Sequence, residues 1–153
     1  MTISFTVPCV PVPQPRPRAV SRGNHASVYN PTSIKTAEGR KPHPIVEFKA
    51  AVRYCAMQAY QGPPLTGPLS MRLRFELPRP KSMIWKKKEM LLAYHTGPKD
   101  IDNMAKAVMD ALNKLLYVDD GQVCELQAEK LIVAGGEQPH VYVYIEEIDC
   151  TEF

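Results

Sequence analysis

The sequence predicts a single α+β domain in which a mixed β-sheet carries two or three packed helices. Three observations lead there. Apolar residues alternate with polar ones near the start, in the middle and toward the end of the chain, the period of half-buried strands. Between these stretches, two segments repeat apolar residues at helical spacing. The 153 residues, 44% hydrophobic and 23% charged, are enough for one core and too few for two comfortable ones, so residues 1–153 read as one domain.

Taken in order, Ile3, Phe5 and Val7 alternate with Thr2, Ser4 and Thr6 and give the first strand. Residues 8–44 hold eight prolines, which remove donors and fix φ, so a long basic loop without helix or central strand is expected there. Within it, "PQPRPRAVSRG" reads as a semi-rigid arm. Phe48, Val52, Cys55 and Ala59 mark a helix from Ile45 to about Tyr60, closed by Gly62-Pro63-Pro64. Leu69, Met71, Leu73, Phe75 and Leu77 alternate with polar residues in the clearest strand, stopped by Pro78. Lys86, Lys87 and Lys88 are expected at the start of a short helix. Trp85 beside them either stacks on a base or packs that helix down.

A helix follows over Ile101–Leu116, and an Asp119-Asp120-Gly121 turn after it. Cys124, Leu126, Ala128 and Ile132 then share one face of a strand. "AGGEQPH" turns the chain, and "VYVYIEEI" is expected back as the hairpin partner. Lys130 stands on the apolar parity of the first of these strands, where it is either aimed at the acidic segment or extends to solvent from the strand end.

No apolar run approaches the roughly 20 residues that span a bilayer. The start, "MTISFTVPCV", does not read as a signal peptide. Cys9, Cys55, Cys124 and Cys150 are scattered, which suggests reduced thiols in a cytoplasmic protein. The four histidines are equally dispersed, so no zinc site is expected. The net charge is +3, but its distribution is uneven. Residues 8–44 carry Arg16, Arg18, Arg22, Lys35, Arg40 and Lys41 against Glu38. Residues 79–99 carry Arg79, Lys81, Lys86, Lys87, Lys88 and Lys99 against Glu89. The rest of the chain is acidic on balance. Two basic segments bracketing an acidic one suit a polyanion, although charged surface loops alone would give the same sums.

The acidic segment, "PKDIDNMAKAVMDALNKLLYVDDGQV", places five aspartates in 21 positions. At about 100° per residue, Ile101, Met104, Ala105, Val108, Leu112 and Leu115 form one side of the helix. Asp102, Lys106, Asp110 and Asn113 form the other, with Asn103 near the edge. Each acid also has a plain structural use: a helix N-cap for Asp100 or Asp102, an i,i+4 pair of Asp102 with Lys106, and a turn for Asp119-Asp120. A crossover bringing Asp119-Asp120 beside Asp100 and Asp102 would instead gather carboxylates that need a cation. Oxygen-only ligands suit Mg²⁺, or Mn²⁺. With the basic flanks, phosphodiester hydrolysis is the leading chemistry.

"DIDNMAKAVMDAL" followed by "VDDGQV" resembles the RusA family of Holliday junction resolvases, endodeoxyribonucleases of bacteria and their prophages. The family pattern is matched by Asp100, Asp102, Asn103, Lys106, Asp110, Leu112, Asp119, Asp120, Gln122 and Val123, with Lys130 as its strand lysine. "RPR" and "VYNP" near the start look like the family's opening. The resemblance implies that Asp100, Asp102 and Asp120 are catalytic carboxylates binding Mg²⁺, with Asp119 a lesser metal ligand. It implies that Lys106 contacts the scissile phosphate or orients water. It implies a homodimer nicking two strands of a four-way DNA junction, with no membrane and no nucleotide cofactor. DNA contacts are expected from Arg16, Arg18, Arg22, Lys86, Lys87, Lys88 and Lys130. Two other readings stay open: a non-catalytic DNA-binding protein whose acidic patch meets a partner, and a nuclease for another branched DNA such as flaps.

Overall fold

Strand β1 (Thr2–Val7) buries Ile3, Phe5 and Val7 and exposes the residues between them, as the alternation predicts. It forms one edge of a five-stranded sheet in a computed structural model that describes residues 1–149. Cys150 lies outside the described residues. After β1 come two small hairpins, β2 (Arg18–Arg22) with β3 (His25–Tyr29), and β4 (Ser33–Thr36) with β5 (Gly39–Pro42). As expected, residues 8–44 add no strand to the main sheet, but from Arg18 to Pro42 they form these hairpins where an irregular loop was expected. Seven of their eight prolines lie outside the strands and Pro42 is the last residue of β5, so each hairpin can close on its own partner. Gly23 and Gly39, at φ +62° and +115°, make the two turns.

Helix α1 (Pro44–Ala59) begins where His43 Nδ1 accepts from the Ile45 amide at 3.0 Å and Pro44 supplies a preset φ. It buries Ile45, Phe48, Val52 and Ala56. Strand β6 (Leu69–Leu77) runs through the middle of the sheet, followed by β7 (Ala93–Tyr94), α2 (Ile101–Leu112), β8 (Val123–Ile132) and β9 (His140–Glu147). The strand order is β1-β9-β6-β8-β7, with β6 and β8 parallel and the other pairs antiparallel. The mixed sheet is as expected; the β8–β9 hairpin is not. β6 lies between those two strands, so β9 pairs with β6 and β1, and α2 is the crossover that makes β8 parallel to β6.

Both helices cover one face of the sheet. Met71, Leu73 and Phe75 of β6 and Val141, Val143 and Ile145 of β9 point into the core with Met104, Val108 and Leu112 of α2. On the opposite face Glu76 is buried and takes the His140 ring at 2.6 Å. Two sequence expectations need correction. α2 stops at Leu112 rather than Leu116, because Asn113 leaves helical geometry and Lys114 adopts φ +63°. No helix forms at Lys86–Lys88; the 3₁₀ turn there spans Lys81–Met83. Among the described residues no helix is long and apolar enough to cross a membrane.

Candidate active site

Asp100 occupies the N-cap of α2, yet its side chain makes no capping hydrogen bond. Its Oδ2 instead accepts from Asn103 Nδ2 at 3.4 Å and faces the Arg16 guanidinium at 4.0 Å. Asp102 and Lys106 follow on the exposed face of the helix, one turn apart, and neither is in an ion pair or side-chain hydrogen bond among the described residues. The i,i+4 pair that the spacing allowed is absent.

The approach to Asp100 is held from below. Lys130 Nζ, on the helix-covered side of β8, donates to the carbonyls of Lys99 at 2.7 Å and Gly97 at 3.0 Å. That is how the strand tolerates a lysine at an apolar position: two carbonyls at a loop satisfy the ammonium. Lys99 in turn donates to the Pro11 carbonyl, and burial lowers its pKa. His95 accepts from the Gly97 amide through Nδ1. Burial, then the charges of Lys130 and Lys99, push its pKa below the ordinary histidine value. The Gln14 amide donates to the Asn103 carbonyl at 2.9 Å. The basic arm is thus fixed beside the start of α2, which sequence spacing did not reveal.

Asp119 and Asp120 have separate situations. Asp119 caps a 3₁₀ turn over Asp120–Gln122: its Oδ2 accepts from Gly121 N, while Gln122 Oε1 accepts from Asp119 N at 2.8 Å. Gln122 Nε2 ties this turn to the carbonyls of Leu65 and Gly67. The Asp120 side chain is half-exposed and makes no such bond. Nearby, the buried Tyr117 hydroxyl donates to the Met109 carbonyl at 2.8 Å. Burial first, then the charges of Asp120, Asp110 and Asp119, raises its pKa far above normal. Asp110 pairs with Lys49 of α1 at 3.7 Å.

These contacts overturn the expected meeting of all the carboxylates in one chain. Lys130, late in β8, touches the start of α2, while Tyr117, just before β8, touches its end. Helix and strand are therefore antiparallel, and a 12-residue helix is about 18 Å long. Asp100 and Asp102 stand at one end of that length and Asp120 at the other. Accordingly, among the described residues no three acid, histidine or cysteine side chains gather closely enough to hold an ion. The donor chemistry still fits Mg²⁺, which commonly takes one or two carboxylates and fills its shell with water and phosphate oxygens. Asp100 and Asp102 at the helix start suit that mode.

The basic residues line a surface. A cleft of about 540 Å³ lies between the arm and the second hairpin, bordered by Arg16, Arg18, Lys35 and Arg40. In the sequence, Lys35 and Arg40 stand out only as part of a charge sum; the hairpin brings them opposite the arm. Arg22 is exposed at the end of β2. Lys86, Lys87 and Lys88 are exposed in the segment joining β6 to β7, at the same end of the sheet as the start of α2. The half-buried Trp85 ring has Lys88 Nζ at 4.6 Å and the Arg79 guanidinium at 5.0 Å from its centre. Arg79 also bonds the carbonyls of Met83, Leu91 and Val133, so the indole packs its own segment.

Comparison with known proteins gives two findings. Residues 8–146 match the family described as "Endodeoxyribonuclease RusA". The chain is also 36% identical over 154 residues to the uncharacterized protein YqaN of Bacillus subtilis (strain 168), covering 97% of this chain and 98% of that one.

Proposed function

Since this chain belongs to the RusA family of endodeoxyribonucleases, we propose that it resolves four-way DNA junctions by paired nicks, using Mg²⁺ or Mn²⁺. The observation that carries the reading is the state of Asp102 and Lys106. Both are exposed on one face of α2, unpaired among the described residues, beside a fixed cationic arm. A pair at this spacing would contribute only a few tenths of a kcal/mol, so the fold does not depend on either group and both are free to meet a ligand.

Asp100 and Asp102 would hold the cation, and Arg16 would leave Asp100 for the DNA backbone as it binds. Bound there, Mg²⁺ supplies a nucleophilic water at neutral pH and offsets charge on the phosphate. Lys106 contacts the scissile phosphate, and the cleft formed by Arg16, Arg18, Lys35 and Arg40 grips a flanking strand. The Lys130 hydrogen bonds keep the 97–99 loop, and hence Asp100, in place.

Asp120 is the third catalytic carboxylate that the resemblance implies, and its distance from Asp102 along α2 supports a site shared between two copies. A C₂ pairing that lays the two α2 helices antiparallel would bring each Asp120 to the other copy's Asp102. It would also set two sites about a dyad, as paired incision requires.

A labelled synthetic four-way junction incubated with Mg²⁺ or with EDTA tests the activity. Symmetric nicks with Mg²⁺ and none with EDTA are expected. Tight binding with no cleavage in Mg²⁺ or Mn²⁺ would contradict it and indicate a binding protein. Cleavage of flaps but not of junctions would move the substrate to another branched DNA.

A further inference from the structure

We infer that the pocket at the end of the sheet, where β6 and β8 finish and β9 begins, receives an acidic peptide segment of a partner protein, anchored by one large apolar side chain. Ile84, Met90, Val133, Ala134 and Pro139 line this pocket, which is open to solvent and holds about 280 Å³. That is just under the range of about 300–1,000 Å³ usual for small-molecule sites, and it offers few polar groups to orient a cofactor. Arg79 reaches it too, but its guanidinium is already committed to the carbonyls of Met83, Leu91 and Val133. The space therefore suits one projecting leucine, methionine or phenylalanine.

The walls are built before anything binds. The Gly135 amide donates to the Met90 carbonyl at 2.8 Å and the Glu137 amide to that of Ala134, with Gly136 at φ +82° making the turn between them. A Cβ at Gly135 would stand 2.7 Å from Met90 Cε, so Met90 packs directly on this turn. Trp85 has Arg79 and Lys88 over its ring, and its amide donates to the Met90 sulfur at 3.5 Å. With its walls pinned, the pocket is filled at little cost in ordering this chain. Ile84 on the wall and Leu91 beside Met90 are 57% and 62% exposed, apolar surface that the fold does not use.

Charge selects the occupant. Lys81, Lys86 and Lys87 are exposed and in no ion pair among the described residues, and Lys88 lies on the Trp85 ring. With Arg79 they make five cations in residues 79–88, against Glu89 and Glu137. An acidic segment is drawn to such a rim and a basic one is turned away. Duplex DNA would satisfy the lysines, but phosphates and sugars make most of its contacts, and no large apolar group projects from it into a pocket. The inference goes beyond the cleavage proposed above, which involves none of these residues.

Fluorescence anisotropy on the full chain tests it, with a labelled aspartate-rich peptide carrying one phenylalanine and the same peptide carrying alanine instead. The phenylalanine peptide should bind saturably and at least about tenfold tighter, the effect of burying one such side chain. Ile84→Asp should lower its affinity at least about tenfold with circular dichroism unchanged, because Ile84 is exposed, and Ile84→Met should keep it. Lys86→Ala with Lys87→Ala should weaken both peptides alike and flatten their salt dependence. Four-way junction binding and sedimentation should be the same for Ile84→Asp as for wild type. No saturable binding, or equal affinity for the two peptides, would overturn the inference. So would a loss of junction binding in Ile84→Asp, which would give the surface to DNA, or a loss of self-association, which would give it to a second copy.

Discussion

Asp102 is exposed at the start of α2 with no side-chain partner among the described residues, so asparagine there would remove only a modest interaction with the helix terminus from the fold. Asp102→Asn and Asp120→Asn should each abolish cleavage yet keep junction binding, checked by gel shift and nicking on the same preparations. Near-normal nicking by both would remove these residues from the site. Lys106→Ala should lower the single-turnover rate by about 10² to 10³, the effect of deleting one group that stabilises transition-state charge. A mere surface pair would leave rate and stability nearly unchanged. Lys130→Met separates a DNA contact from a structural one. Its ammonium bonds two loop carbonyls, so its loss should cost about 1–3 kcal/mol in urea unfolding as well as activity. Unchanged stability would assign Lys130 to DNA alone. The acidic motif was legible because residue type and helical spacing restrict one another. What Lys130 and Asp119 bond was not, because their partners lie across a loop and a turn.

At the scale of elements, β1, α1, β6 and the body of α2 follow from periodicity, since each buries one clear stripe. The failures have physical causes. Between Pro8 and Pro44, proline content argued against regular structure, but a hairpin tip needs no proline-free segment longer than a few residues. The partner of β9 was misplaced because neighbours in sequence need not be neighbours in a sheet once a helix crosses over. The same crossover, running α2 back along β8, separated the carboxylates that spacing alone seemed to gather. The arm is an element with its own test. Replacing Arg16 and Arg18 by alanine should make the slope of log K against log salt shallower, by about 0.9 for every phosphate that an arginine neutralises in the wild type. Folding should be unaffected, because the Arg16–Asp100 pair is exposed on both sides. A slope equal to wild type would show that the arm does not touch DNA.

For the whole molecule, one chain presents Asp100 and Asp102 at one end of α2, Asp120 at the other, and between them a strand edge that has no strand partner among the described residues. A monomer leaves all three features unexplained, and a two-fold dimer accounts for them together. The dimer also matches the approximate two-fold symmetry of a four-way junction, whose resolution needs two nicks. Co-expressed Asp102→Asn and Asp120→Asn subunits provide the sharpest measurement, with a labelled four-way junction and Mg²⁺. Each variant alone should be inert. In a mixed dimer, one site combines both substitutions and the other retains both native carboxylates, so nicking should return at one strand of the junction. If the mixture stays inert while the wild type cuts, the carboxylates act within one chain and the shared site is wrong.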